Sequence, residues 1–334
     1  MSKRNSQSRA ELHAHLGSSV HPAILWSIAH RQGIRLPSKD YREFERMITM
    51  TKNERNTSLD DMHNNFFYWT ELIQSSPEAM EESVKSVIGG GYRASNITVH
   101  ELRFNPMFRN RGGEKDLDHI IMAAVWGLNR ATLEYPQVKA GIILMMDRTL
   151  TFTQNEIILQ KAIKYASFGV IGIDIAGPQR KSFSMKKHAI LFKRATAHGL
   201  GVTLHTGEEG SLQELEFVVK HIKPRRIGHG ILGVKKDSIL KAMKEQRITL
   251  ELCPTSNIKN SVVKSVASFK ALVRKIQQAG IRFTINTDGP EMYQTNILHE
   301  QDFLIRSKIL TQKEVKQTTR WAFESSFVDY SKKF

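Results

Sequence analysis

The chain has 334 residues, 40% of them apolar and 25% charged, and its 49 Lys+Arg against 33 Asp+Glu give a formal net charge of +16. This is ordinary for a soluble globular protein, and the length suits one large barrel domain that buries about 75% of its unfolded surface. A single cysteine, Cys253, excludes an internal disulfide and fits a reducing, cytoplasmic setting, and no apolar run reaches the ~20 residues of a membrane span.

Along the chain, Met1–Gln7 is charged and has no apolar segment behind it, so it reads as a short disordered lead, not a signal peptide. Strands are expected at Glu11–Leu16, Ile97–Phe104, Ala140–Met146, Val170–Ala176, Gly201–Thr206, Arg226–His229, Ile248–Cys253 and Arg282–Thr287. Several of these are rich in Ile, Val and Leu and bounded by Gly, Pro or Asn, as strands buried on both faces should be. Helical patterns lie between them, among them Met185–His198, Leu212–His221 and Val266–Ala279, which stops at Gly280. Eight strands alternating with helices predict a closed (β/α)₈ barrel of the TIM type, a single domain over 1–334. One stretch, 17–96, breaks the rhythm with helical patterns at Pro22–Arg31, Asp60–Gln74 and Pro77–Ile88. An insertion after the first strand sits over the C-terminal mouth of a barrel, where it serves as a substrate lid or a structural cap. Arg109–Asp118 reads as an exposed loop.

The positive charge invites a nucleic-acid reading, but it is scattered. Lys220, Lys223, Arg225, Arg226, Lys235, Lys236, Lys241, Lys244 and Arg247 fall on or beside expected surface helices, with no aromatic platform among them. No nucleic-acid partner is expected.

Four places carry chemistry. His13 and His15 are two apart on a strand, so both imidazoles face the same way. His205 ends a strand, and Glu208 lies in the turn after it. His229 ends another strand between Gly228 and Gly230, and Asp288 ends the last one before Gly289. Taken singly, each has a structural alternative: a hydrogen-bonded core histidine, a turn-capping Asp, a first-turn helix acid. Together they sit where barrel active sites are built, and three histidines with a carboxylate make a ligand set for zinc or a similar ion.

Six motifs resemble the adenosine deaminase family within the amidohydrolase superfamily. They are Glu11–Leu16 (ELHAHL), Gly172–Gly177 (GIDIAG), His205–Glu208 (HTGE), Gly228–Gly230 (GHG), Leu252–Asn257 (LCPTSN) and Asn286–Asp288 (NTD), in the family's order and spanning nearly the whole chain. The resemblance implies one zinc ion held by His13, His15, His205 and Asp288. It also implies catalytic roles for Glu208, His229 and Asp288, a purine contact from the backbone N–H of Gly177, and a purine nucleoside or related aminopurine as partner. His15 would also face the substrate. Two positions depart from the family pattern: Gly17 stands where the family carries an Asp for the ribose 5′-hydroxyl, and Gly289 where a second Asp bonds the purine. A bulkier, apolar or anionic 5′ group then becomes acceptable, so a 5′-modified or N6-substituted adenosine is one alternative. Another hydrolase of the superfamily and a non-catalytic nucleoside-binding protein are the others. His100, Glu101 and Arg103 on the second strand read as an ion-paired core, Trp26 and Phe66–Trp69 as packing of the insertion or lining of its mouth, and Cys253 as a small buried hydrophobe.

Overall fold

The computed structural model describes residues 7–51, 66–110 and 115–329. Strands β1 (Arg9–His15), β2 (Ile97–Phe104), β3 (Lys139–Asp147), β4 (Val170–Ala176) and β5 (Gly201–Val202) form one parallel sheet. Strands β6 (His205–Thr206), β7 (Arg226–His229), β8 (Thr249–Leu252) and β9 (Arg282–Ile285) form a second. β5 and β6 are halves of one stave: Thr203 N–H donates to the carbonyl of Ile173 on β4 at 3.2 Å, and Gly228 N–H on β7 donates to that of Leu204 at 2.8 Å. The predicted strand Gly201–Thr206 is therefore interrupted where its ladder passes from one neighbour to the other.

The remaining seam closes at the C-terminal end of β1. Ala14 and Asp288 form a parallel bridge, with His15 N–H donating to the Asp288 carbonyl at 2.8 Å and Asp288 N–H to that of His13 at 2.9 Å. The eight staves thus make the expected (β/α)₈ barrel. All seven residues of β1 and all four of β7 and β8 are buried, as parallel strands covered on both faces must be.

Between β1 and β2 lie helices Pro22–Arg31, Tyr41–Ile48, Tyr68–Ile73 and Pro77–Ser95. The last is longer than the pattern at Pro77–Ile88 suggests. Ser76 caps its start, Pro77 occupies its first turn, and the left-handed Asn96 (φ 50°) ends it. Part of the pattern at Asp60–Gln74, part of the Arg109–Asp118 loop and most of the N-terminal lead fall outside the described residues. The helix expected over Leu212–His221 is α-helical for Leu212–Phe217 and continues as a π-helical turn, Val218–Ile222.

The barrel interior is charged. Arg103 on β2 and Arg226 on β7 are fully buried. Glu251 on β8 joins them: its Oε2 lies 3.0 Å from Arg103 Nη2 and its Oε1 2.6 Å from Arg226 Nε. Asp174 pairs with Arg103 at 2.7 Å and Glu101 with Arg226 at 2.5 Å. This corrects the expectation for Arg226, which follows a run of surface cations in sequence but points inward from the first residue of β7. Glu101 and Arg103 are ion-paired core residues, as expected. Among the described residues, no helix is long and apolar enough to cross a membrane.

Candidate active site

The C-terminal ends of the staves bring the sequence-predicted residues together. His13 and His15 leave β1 on the same face, His205 opens β6, and Asp288 follows β9. One donor atom from each of these four lies within 4.8 Å of every other. His15 Nε2 stands 3.0 Å from His205 Nε2 and 3.2 Å from Asp288 Oδ1. His13 Nε2 is buried, makes no hydrogen bond and lies 3.5 Å from Asp288 Oδ1.

The far side of the ring fixes two of these imidazoles. His13 Nδ1 lies 2.6 Å from Glu251 Oε2, and His205 Nδ1 lies 2.9 Å from Asp174 Oδ2. Each carboxylate favours a proton on Nδ1 and leaves the Nε2 lone pair facing the centre. Burial, reinforced by neighbouring histidines, holds His15 and His205 below the ordinary imidazole range and so uncharged. The two Nε2 atoms 3.0 Å apart either share a proton or, with both lone pairs turned inward, leave room for a cation to bind both. An unbonded buried Nε2, convergent neutral imidazoles and a carboxylate together fit a divalent metal ion. A second grouping, His13, His229, Cys253 and Asp288, also converges. Burial pushes the Cys253 thiol well up, so without an ion it stays protonated and packs as the expected small hydrophobe.

His229 and Glu208 flank the cluster. His229 Nε2 lies 3.4 Å from Glu208 Oε2, and its Nδ1 lies 2.9 Å from the Asn257 side-chain amide. Burial, with Asp288 and Glu209 nearby, pushes the Glu208 carboxyl up to about 8. His229 (φ 60°) and Asp288 (φ 65°) both adopt left-handed backbone, which costs about 1–2 kcal/mol in a non-glycine residue. The turn swings each side chain over the barrel mouth, and Ser256 Oγ donates to Asp288 Oδ2 at 2.5 Å to hold it there.

These groups open into a cavity at the barrel mouth, with about 70 Å³ of room for the centres of water-sized molecules. Its wall includes His15, Gly17, Phe67, Phe104, Asn105, Met145, Gly177, Glu208 and Tyr293. Gly177 has φ +86°, and a Cβ there would stand 2.4 Å from Asp147 Oδ2. Gly17 lies on the wall, and a Cβ there would meet Arg109 Nη2 at 3.2 Å and Phe67 Cδ1 at 3.2 Å. Gly289 does not line the cavity; Ser18 fills the space where its side chain would lie, with Ser18 Oγ 2.5 Å from where a Cβ would stand. Of the insertion aromatics, Phe67 lines the mouth, Trp26 and Trp69 pack on the core, and Tyr68 is exposed.

Sequence reasoning misses Glu251, Ser256, Asn257 and Arg148 as site residues, and gives Asp174 no role. A signal for Glu251 and Asp174 exists: each is a lone acid in an otherwise apolar strand, Thr249-Leu250-Glu251-Leu252 and Ile173-Asp174-Ile175. Buried acids of that kind must be paired.

A parallel barrel with a metal-type ligand cluster and a protonatable carboxyl at its C-terminal mouth defines a barrel hydrolase of the amidohydrolase kind. The adenosine deaminase family model matches residues 8–334. An adenosine deaminase of Clostridium kluyveri is 28% identical over 326 residues, 96% of this chain and 89% of that protein. Among solved structures, an Arabidopsis N6-mAMP deaminase superimposes with a TM-score of 0.83 at 23% identity, covering 99% of this chain and 96% of its own. An amidohydrolase with bound zinc from Burkholderia ambifaria gives 0.80 at 18%, covering 98% and 87%. The chain belongs to the adenosine deaminase family, hydrolases that act on C–N bonds in cyclic amidines.

Proposed function

We propose that the protein deaminates adenosine or a related 6-aminopurine by hydrolysis, giving the 6-oxo product and ammonia, with one zinc ion held by His13, His15, His205 and Asp288. The observation that carries this reading is the meeting of four convergent ligand atoms, three of them from residues on the cavity wall, with a wall carboxyl raised to about 8. When bound, the ion lowers the pKa of the attacking water toward neutrality.

The chain's own residues account for the proton movements. Glu208, held protonated by burial, gives its proton to the ring nitrogen beside the carbon under attack, which makes that carbon electrophilic. His229, kept neutral by burial, accepts the proton of the attacking water at Nε2. The structure sets Asn257 Nδ2 against Nδ1, so that assignment requires the amide turned over, with its carbonyl oxygen, which has no partner as placed, facing Nδ1 to fix the tautomer. Asp288 accepts the second water proton and relays it to the departing amine, and Ser256 orients it. The N–H of Gly177 and the face of His15 position the purine, and the apolar wall of Phe67, Phe104 and Met145 excludes water. The helices of 17–96, with Phe67 at the mouth, serve as the lid over a single-domain barrel of 1–334. The setting is cytoplasmic.

A second reading, a 5′-modified or N6-substituted adenosine, is favoured by Gly17. Without a side chain there, the buried guanidinium of Arg109 stands at the wall where the family places an acid. The test is a panel of adenosine, N6-methyl and 5′-phosphorylated adenosines and adenine, followed by ammonia release and the ultraviolet shift with zinc present. Turnover should occur with at least one and be abolished by Glu208→Gln at unchanged metal content. If no 6-aminopurine reacts, deamination is wrong and an amide or ester hydrolase of the same superfamily takes its place.

A further inference from the structure

Arg148 follows β3 and takes no part in the proton movements above. It is buried and lines the cavity. Its Nη1 donates to the carbonyl oxygen of Gly177 at 3.2 Å. Its Nη2 donates to the carbonyl oxygen of His205 at 2.5 Å and pairs with Glu214 Oε1 at 2.7 Å. Its backbone N–H donates to the carbonyl of Ala176 at 3.0 Å. One planar group thus ties together the exits of two neighbouring staves. One exit carries a metal-type ligand, and the other carries the peptide whose N–H faces the purine in the proposed reaction.

The charge of Arg148 is compensated by Glu214, which also accepts from Thr206 Oγ1 at 3.1 Å and from Gln179 Nε2 at 3.3 Å. The preceding residue, Asp147, closes the other side of the Gly177 turn, since its carboxylate leaves no room for a Cβ there. Gly177 is clamped at its Cα by Asp147 and at its carbonyl by Arg148.

We propose that Arg148, neutralised by Glu214, is a positioning residue: it holds the Gly177 carbonyl at a fixed distance from His205, and through the Gly177 Cα it fixes the N–H of the preceding peptide, and so sets purine against metal ligands. This rests on the deaminase reading given above. The fork geometry matters, because a lysine ammonium is a point charge that cannot hold two carbonyls and a carboxylate in one plane. A misplacement of about 1 Å in such a contact costs on the order of 100-fold in rate.

The experiment is a double-mutant cycle on zinc-loaded protein. Arg148→Lys, Arg148→Met and Glu214→Gln are each combined with the nucleoside substrate and with its deaza analogues, each having CH in place of one ring nitrogen. Metal content and cooperative unfolding should be retained, and kcat/KM should fall about tenfold or more in both Arg148 variants, with Glu214→Gln between them and the parent. For the one analogue lacking the nitrogen that faces Gly177, the Arg148 penalty should shrink at least fivefold. The same penalty with every analogue, or parent-like activity in Arg148→Lys, overturns the proposal. The cycle is repeated by equilibrium binding of the 6-oxo nucleoside and its deaza analogues, which needs no turnover. No turnover with any aminopurine therefore counts against the deaminase reading, whereas an absence of coupling in binding counts against Arg148. If Arg148→Met does not fold, the Lys and Gln variants decide.

Discussion

Asp174→Asn isolates the contribution of a residue that touches no substrate. The carboxylate makes four contacts. Its Oδ2 lies 2.7 Å from Arg103 Nη1 and 2.9 Å from His205 Nδ1, and its Oδ1 accepts from Ile175 N–H at 2.6 Å and His205 N–H at 3.2 Å. Burial raises its pKa, but His205 and Arg103 outweigh that and hold it well below the usual carboxylate range. Asparagine has the same shape. Its oxygen can keep the two backbone donors, but its NH₂ then faces the N–H groups of Arg103 and His205. Two effects follow. His205 loses the acceptor that fixes its tautomer, which costs 10- to 100-fold in metal affinity, about 1.4–2.8 kcal/mol. Arg103 loses one of its buried partners. Removing such a partner costs about 3–5 kcal/mol, and the lower end applies because Glu251 and the Leu12 carbonyl still hold the guanidinium. Zinc affinity is read by competition with a chromophoric chelator, and the stability of the metal-free protein by urea unfolding. A variant that loses stability but binds zinc within twofold of the parent refutes the argument, because Asp174 would then act on the fold alone.

Three further outcomes are expected. If Glu208 is the proton donor, kcat/KM declines with rising pH, about tenfold per unit, with a midpoint no higher than about 8, since a bound dication lowers that value further; a profile still climbing above pH 9 contradicts the role. Glu300 is fully buried on the helix Ile297–Arg306, and burial raises its carboxyl to about 7 despite hydrogen bonds from Thr255 and Thr295. The folded chain therefore holds this proton more tightly than the unfolded chain, and its contribution is fully present below about pH 4.5 and lost as pH rises to about 7. The loss is about 3 kcal/mol at 1.36 kcal/mol per unit, so Glu300→Gln should flatten the stability-versus-pH curve in that window, as measured by urea unfolding at several pH values. Gly177→Ala and Gly33→Ala form a pair: both sites have positive φ, but nothing lies within 4 Å of a Cβ at Gly33, whereas Asp147 blocks one at Gly177. Thermal unfolding should show about 1–2 kcal/mol lost at Gly33 and a further 1–3 kcal/mol at Gly177; equal losses would mean that Asp147 yields without cost.

Much of the site is legible because strand geometry is simple. Period two in Glu11-Leu12-His13-Ala14-His15 puts two imidazoles on one face, and position at strand ends then gathers His205, His229 and Asp288. Arg226 is misread because local charge pattern cannot separate the last cation of a surface run from the first residue of a buried strand. The partners that separate them, Glu101 and Glu251, lie 125 and 25 residues away. Glu251 escapes notice for a similar reason. It has neither the neighbours nor the spacing of a motif, and its importance comes from what four other staves bring to it: His13, Arg103, Thr203 and Arg226. Gly289 shows the limit of pattern transfer. It occupies the expected place in sequence, yet a side chain there would run into Ser18 and then Met292.

The charged interior explains why a metal site can exist at this depth. Glu251 and Asp174 touch the ligands His13 and His205, the guanidiniums of Arg103 and Arg226 pair with those carboxylates, and Glu101 pairs with Arg226. Three anions against two cations leave one negative charge, and Asp288 adds a second. Glu11, raised by burial to about 8, and Glu208, raised to the same region, are protonated at neutral pH and add none. The imidazoles of His15, His205 and His229 are neutral. Burial lowers the pKa of His13, but Asp288 and Glu251 outweigh it and raise that pKa. Once its proton at Nε2 is displaced, as metal binding requires, a net charge of −2 remains that a dication balances. The buried arginines therefore do more than brace the barrel. By cancelling two of the inner carboxylates, they leave the charge that suits a divalent ion, and a variant that removes one of them should overbind cations in the interior while loosening the staves around it.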